Sequence, residues 1–159
     1  MAKNKDIEFM NLALAAATKG VESGQTPFGA CIVKNDKVIS CCHNRVWAST
    51  DITAHAEIVA IREACENLDS IDLSGCVIYS TTEPCPMCFT AIHWAKIDKI
   101  IYGASIEDAK SFGFAELIIS NREMKYIGKS KIEIVSGCLK DDNLRLFSIW
   151  KNRDNSRAY

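Results

Sequence analysis

The most restrictive feature of the sequence is a pair of short motifs, His55-Ala56-Glu57 and Pro84-Cys85-Pro86-Met87-Cys88, each at the start of a predicted helix that follows an extended segment. Two strand-to-helix junctions of this kind bring two helix N-termini to one edge of a sheet, which requires a fold that alternates strands and helices. One imidazole and two thiolates gathered there are donors suited to tetrahedral zinc, with a fourth position left for water as a catalytic site requires. Cysteines three apart at a helix start reach one ion, and the positive end of the helix dipole favours their thiolates. Pro84 and Pro86 suit the junction, because proline fixes a helix-compatible φ and lacks the donor that a first turn leaves unpaired. Glu57 is placed to reach a bound water and move protons without ligating the metal. Taken singly, each motif is weak. His-x-Glu also occurs as an exposed helical pair, and Cys-x-x-Cys as a redox pair or two core cysteines. A closed zinc site completed by His43 or His93 is the non-catalytic alternative.

The rest of the chain supplies the alternation. Ile7, Met10, Leu14, Ala17 and Val21 form one apolar helical face. Gly24 to Pro27 breaks it, and a β-hairpin follows, with Ala30 to Val33 and Val38 to Cys42 joined through Asn35-Asp36-Lys37. A second helix opens near Thr53, turns Ala56, Val59, Ala60 and Ala64 inward, and ends near Asn67. Strands over Val77 to Ser80, Lys99 to Gly103 and Lys131 to Val135 alternate with a helix over Pro86 to Ala95 and a final helix carrying Leu144, Phe147 and Trp150. Ser105 to Asn121 reads as a short helix and a loop. The pattern predicts one domain over residues 1–159, an α/β fold built as a three-layer α-β-α sandwich on a mixed central sheet.

Composition narrows the partners. With 19 basic and 20 acidic residues the net charge is -1, so no global positive field draws the chain to phosphate backbones or anionic lipid. A small neutral substrate suits this balance, and Lys151, Arg153 and Arg157 read as a solvated helix end. Lys3 and Lys5 ahead of Phe9 to Ala17 imitate a signal peptide, but Asp6, Glu8 and Asn11 interrupt it. No segment approaches the run of about 18 apolar residues needed to cross a bilayer, so a soluble, cytoplasmic protein is expected. Without a secretion signal the eight cysteines read as reduced, with Cys31, Cys41 and Cys65 as small hydrophobes in apolar segments.

His-x-Glu together with Pro-Cys-x-x-Cys is the pattern of zinc deaminases, and the chain resembles the cytidine deaminase superfamily, most of all its bacterial guanine deaminases. The likeness takes in Thr26-Pro27-Phe28-Gly29-Ala30, Asn44, Thr53-Ala54-His55-Ala56-Glu57, Glu83-Pro84-Cys85-Pro86-Met87-Cys88, Trp94-Ala95, Gly113-Phe114 and Tyr159. The resemblance implies one Zn2+ per subunit on His55, Cys85 and Cys88, with Glu57 as the proton carrier. It implies substrate contacts from Phe28, Asn44, Ala56, Trp94, Glu116 and Tyr159, and a homodimer whose C-terminal segment crosses to close the neighbour's pocket. An amide offers a base edge both donor and acceptor, and aromatic faces enclose a flat ring. Where guanine deaminases commonly place an aspartate soon after Gly-Phe, this chain has Ala115-Glu116, a carboxylate with a longer reach. Core packing would equally explain Phe28 and Trp94, an exposed helical position Glu116, and a frayed end Tyr159. The implied reaction is hydrolysis of guanine to xanthine and ammonia. A tRNA adenosine deaminase shares the motifs but needs a positively charged surface. Guanosine, cytosine or a related aminated heterocycle are further substrates to separate. Outside the enzymes stands a silent zinc module binding a nucleobase or a protein, against which the intact Glu57 argues.

Overall fold

The computed structural model describes residues 4–159; Lys3, part of the leader-like pattern, lies outside the described residues. The first helix, α1 (Asn4–Glu22), buries Phe9, Met10, Ala13, Ala17 and Val21 along one face. Strands β1 (Gly29–Lys34) and β2 (Lys37–His43) form the expected antiparallel hairpin. Asn35 and Asp36 both take positive φ, as a two-residue turn matched to strand twist requires. Then come α2 (Val46–Ser49), α3 (Ala56–Leu68), β3 (Cys76–Thr82), α4 (Pro86–Trp94), β4 (Lys99–Ala104), α5 (Ile106–Ser111), α6 (Asn121–Gly128), β5 (Glu133–Val135) and α7 (Lys140–Lys151).

The five strands lie in the order β2-β1-β3-β4-β5, with β1 antiparallel to both β2 and β3, and with β3, β4 and β5 mutually parallel. Strand alternation divides the core between two faces. Ala30, Ile32, Ile78 and Ile100 pack under α3 and α4 with Ala60, Ala64, Phe89 and Ile92. Cys31, Val33, Tyr79 and Ile101 meet Phe9, Met10 and Ala13 of α1. A third cluster joins α1 to α7 through Ala17, Val21, Phe147 and Trp150. Helices therefore cover both faces of a mixed sheet, the three-layer α/β architecture that the pattern predicts. A Cβ at Gly29 would stand 2.2 Å from the Ala13 carbonyl oxygen, and one at Gly103 2.1 Å from Asn143 Nδ2. Bare glycine at these positions lets α1 and α7 lie directly on the strands.

Differences from the expected boundaries have local causes. Asp51 Oδ1 accepts the Thr53 amide at 2.8 Å and its hydroxyl at 2.7 Å, so Thr53 belongs to a turn and α3 begins only at Ala56. The last strand starts at Glu133 rather than Lys131, where its pairing with Lys99 begins. The short helix expected after Ser105 is α5, opened by a capping box in which Ser105 and Asp108 bond each other's backbone. Ser120 and Glu123 do the same for α6, a signal outside the hydrophobic periodicity. Among the described residues no helix is long and apolar enough to cross a membrane.

Candidate metal and substrate site

His55 is the N-cap of α3 and Cys85 the N-cap of α4, and neither makes the oxygen-type side-chain capping hydrogen bond of an ordinary N-cap. Both caps thus hold a donor free for another partner at adjoining helix starts. His55 Nδ1 lies 3.6 Å from Cys85 Sγ and 3.6 Å from Cys88 Sγ, and the three donors fall within 4.8 Å of one another. Tetrahedral zinc, with Zn–N of about 2.0–2.1 Å and Zn–S of about 2.3 Å, separates nitrogen from sulfur by about 3.6 Å, so the cluster fits the ion. His43 and His93 are engaged elsewhere, His43 Nδ1 with the Asn44 carbonyl oxygen at 2.8 Å and His93 Nδ1 with Ser130 Oγ at 3.2 Å. The hydrogen bond from Cys88 and the neighbouring His55 hold the Cys85 thiol down at about 4 against its desolvation. Burial pushes the Cys88 thiol well up. A bound cation would draw both to thiolates.

Glu57 enters from the first turn of α3 and is 6% exposed. Its Oε1 accepts the Ser80 hydroxyl at 2.9 Å, and its Oε2 accepts the Cys88 thiol at 3.5 Å. Burial raises its carboxyl above the usual range. The carboxylate thus lies against the three donors and outside their cluster. Ser80, on β3, fixes its orientation and carries no signal in the sequence.

Above this centre opens a pocket of about 350 Å³ bounded by Ile52, Met87, Phe114, Glu116 and Tyr159, with His55 and Cys85 at its base. An inner recess of about 20 Å³ reaches Phe28, Glu57 and Thr82, room for about one water. His55, Cys85, Glu116 and Tyr159 line both.

Most of the expected substrate residues gather here. Phe28 packs edge-on to Phe114 and Phe147, with centroids 4.9 and 5.5 Å away. Asn44 is fully buried; its Oδ1 accepts the Val46 amide at 3.0 Å and its Nδ2 donates to the Tyr159 hydroxyl at 2.6 Å. Ala56 lies between the two functional residues of its motif, but its side chain joins the core under α3, leaving only its backbone for a ligand. Desolvation, reinforced by Cys85, pushes the half-buried Glu116 carboxyl up to about 7. Tyr159 is no frayed end: its carbonyl accepts the Ala115 amide at 3.0 Å, and its ring lies 5.6 Å from those of His55 and Phe114. It lines the pocket of its own chain. Trp94 does not join the group. It is 78% exposed beside His93 and is not part of the pocket wall. The cysteines occupy the start of α4 and Trp94 its ninth residue, which a rise of about 1.5 Å per residue puts at the far end of the helix.

Sequence reasoning missed the frame behind the ligand loop. Glu83 is buried, and its carboxylate accepts the Asn121 amide at 2.8 Å and the Ile106 amide at 3.3 Å. Asn121, also buried, donates from Nδ2 to the Pro84 carbonyl oxygen at 2.6 Å. Glu83 could have been suspected from its place in the cysteine motif. Asn121 has no local signal, because its partner lies 37 residues away.

Comparison with known proteins extends the likeness over the whole chain. The family model for the cytidine and deoxycytidylate deaminase zinc-binding region matches residues 3–104. A guanine deaminase of Bacillus subtilis (strain 168) is 38% identical over 152 residues, 95% of this chain and 97% of its own. A tRNA-specific adenosine deaminase of Buchnera aphidicola subsp. Schizaphis graminum is 35% identical over 154 residues, 96% and 99% of the two chains. The solved guanine deaminase of Nitrosomonas europaea superposes with a TM-score of 0.86 at 26% identity, covering 96% of this chain and 87% of that one. With the His55-Cys85-Cys88 cluster lying inside the matched region, the chain belongs to the cytidine and deoxycytidylate deaminase family.

Proposed function

We propose that the chain is a zinc-dependent guanine deaminase that hydrolyses guanine to xanthine and ammonia. The observation that carries this reading is the buried Glu57 carboxylate, held by Ser80 and Cys88 against three donors at zinc spacing. Zinc on His55, Cys85 and Cys88, one ion per subunit, supplies the Lewis acidity that makes a water nucleophilic near neutral pH. Glu57 takes a proton from the attacking water, passes it to the ring nitrogen beside the amino-bearing carbon, and delivers the next to the departing ammonia. Phe28 and Phe114 enclose the flat ring, and Asn44 offers its edge an amide. Glu116 accepts from ring N–H groups at the far side. Water adds oxygen to the carbon, ammonia leaves with the nitrogen, and no redox partner is needed.

The competing reading is deamination of adenosine within a tRNA, since such relatives are nearly as similar. Tyr159 favours the free base: it lines the recess beside Glu57, where a base still joined to ribose and backbone needs an open exit. The net charge of -1 argues the same way. The test is an ammonia-release screen over guanine, guanosine, cytosine, adenine and a tRNA anticodon stem-loop. Guanine is expected to be the best substrate, and activity on the stem-loop alone would reverse the assignment.

A homodimer, and a cytoplasmic location, complete the proposal. The exposed Trp94, together with Tyr126 and Ile127 on the neighbouring α6, supplies apolar surface of the kind that subunits bury.

A further inference from the structure

The segment that carries Tyr159 to the site is gripped one step earlier by Trp47, a half-buried residue of α2. Its indole Nε1 donates to the Arg157 carbonyl oxygen at 3.2 Å. The Arg157 guanidinium sits 3.8 Å from the centroid of the same ring, within cation–π range. The Trp47 ring also meets Tyr159 edge-on at 6.2 Å. α2 is itself fixed from below, since the Val46 amide bonds Asn44 Oδ1 and the Ala48 amide bonds the buried Gln25 Oε1 at 3.2 Å. One short helix thus joins Asn44 to the tail. Because the recess beside Glu57 holds about 20 Å³ with Tyr159 seated, a purine reaches Glu57 only when the tail shifts. Seating and release of the tail then belong to each turnover.

We propose that Trp47 is a positioning residue that latches the C-terminal segment through Arg157 and so sets how much of the time Tyr159 covers the site. Its kinetic consequence rests on the guanine deaminase reading; the latch itself does not. The test is therefore run twice on the zinc-loaded 159-residue chain, once without substrate. In the first arm carboxypeptidase A releases Tyr159 from wild type, Trp47→Ala, Trp47→Phe and Arg157→Ala. Loss of a cation–π contact and a hydrogen bond predicts release about fivefold faster in Trp47→Ala. Trp47→Phe, which keeps a ring face and loses the N–H donor, falls between it and wild type. Equal release rates across folded variants would overturn the latch, and Trp47→Phe and Arg157→Ala decide the matter if Trp47→Ala does not fold. In the second arm Trp47→Ala lowers the KM for guanine about fivefold with little change in kcat, because the open tail is populated more of the time, and the effect disappears in a chain lacking Tyr159. An undiminished effect in the shortened chain would show that Trp47 acts elsewhere. Faster Tyr159 release with no turnover of guanine by any variant would sink the substrate assignment and leave the latch standing.

Discussion

The side-chain amide of Asn44 donates to the hydroxyl of Tyr159 at 2.6 Å, across 115 positions of chain. Asn44 is fully buried and its Oδ1 is already committed to Val46, so the tyrosine hydroxyl takes up an N–H of its amide when no base is present. A substrate that bonds Asn44 must take the place of that hydroxyl. Tyr159 is thus both the cover of the pocket and the competitor for its base-reading amide.

Tyr159→Phe removes the hydroxyl and leaves a buried donor unpaired, at a cost of about 1–3 kcal/mol to the seated tail. Steady-state xanthine formation should show a lowered KM for guanine, because the base no longer has to displace a hydroxyl from Asn44. Deleting Tyr159 also removes the ring over His55, and kcat/KM is expected to fall about 100-fold, close to 2.7 kcal/mol. Unchanged kinetics in the deletion would remove Tyr159 from the site.

Tyr159 lines the pocket of its own chain, and closure within one chain as against exchange between subunits has a direct test. A chain lacking Tyr159 but retaining Glu57 is unfolded, refolded and mixed with Glu57→Gln carrying an intact tail. Closure within one chain predicts that the mixture is no more active than the sum of its parts. Recovery of activity would show that tails cross between subunits.

Asn121 ties α6 to the ligand loop through the Pro84 carbonyl. Asn121→Ala should leave the sheet intact and weaken zinc retention about tenfold, the lower end of the range for residues that orient metal ligands. Competition with a chelator measures it. Zinc affinity equal to that of wild type would reduce the contact to simple packing.

These outcomes separate what local pattern could carry from what it could not. The layers were legible because apolar periodicity in α1, α3 and α7 and the short, largely apolar runs of β1 and β3 are properties of neighbouring residues. The metal cluster was legible because cap position and spacing put His55, Cys85 and Cys88 at two helix starts. Ser80, Asn121 and Trp47 were not, since each acts through a partner at least 23 residues away. Trp94 shows the reverse limit. A residue matched by resemblance stands at the wrong end of its helix to reach the pocket of its own chain.

Asp108 gives the fold a defined acid sensitivity. Burial acts against its charge, but hydrogen bonds from Ser105 and the Lys140 ammonium hold its carboxyl below the ordinary 3.8. A depressed folded value means that the stabilisation is complete above the unfolded value and disappears as pH falls through the folded one. Asp108→Asn should therefore be less stable than wild type to urea at neutral pH, with the gap closing below about pH 4. Ser105→Ala breaks the other half of the box and is expected to cost about 1 kcal/mol. A gap that persists undiminished into acid would contradict the role given to the carboxylate.

The proposed division of labour has Glu57 moving the protons while His55, Cys85 and Cys88 hold the zinc. It is tested most directly by following xanthine formation from guanine with zinc-loaded wild type and Glu57→Gln side by side, with bound zinc measured in both. Zinc content is expected to be equal and turnover by the variant reduced at least 100-fold, within the range for loss of a general acid–base group. Full activity in a zinc-loaded Glu57→Gln protein would contradict it.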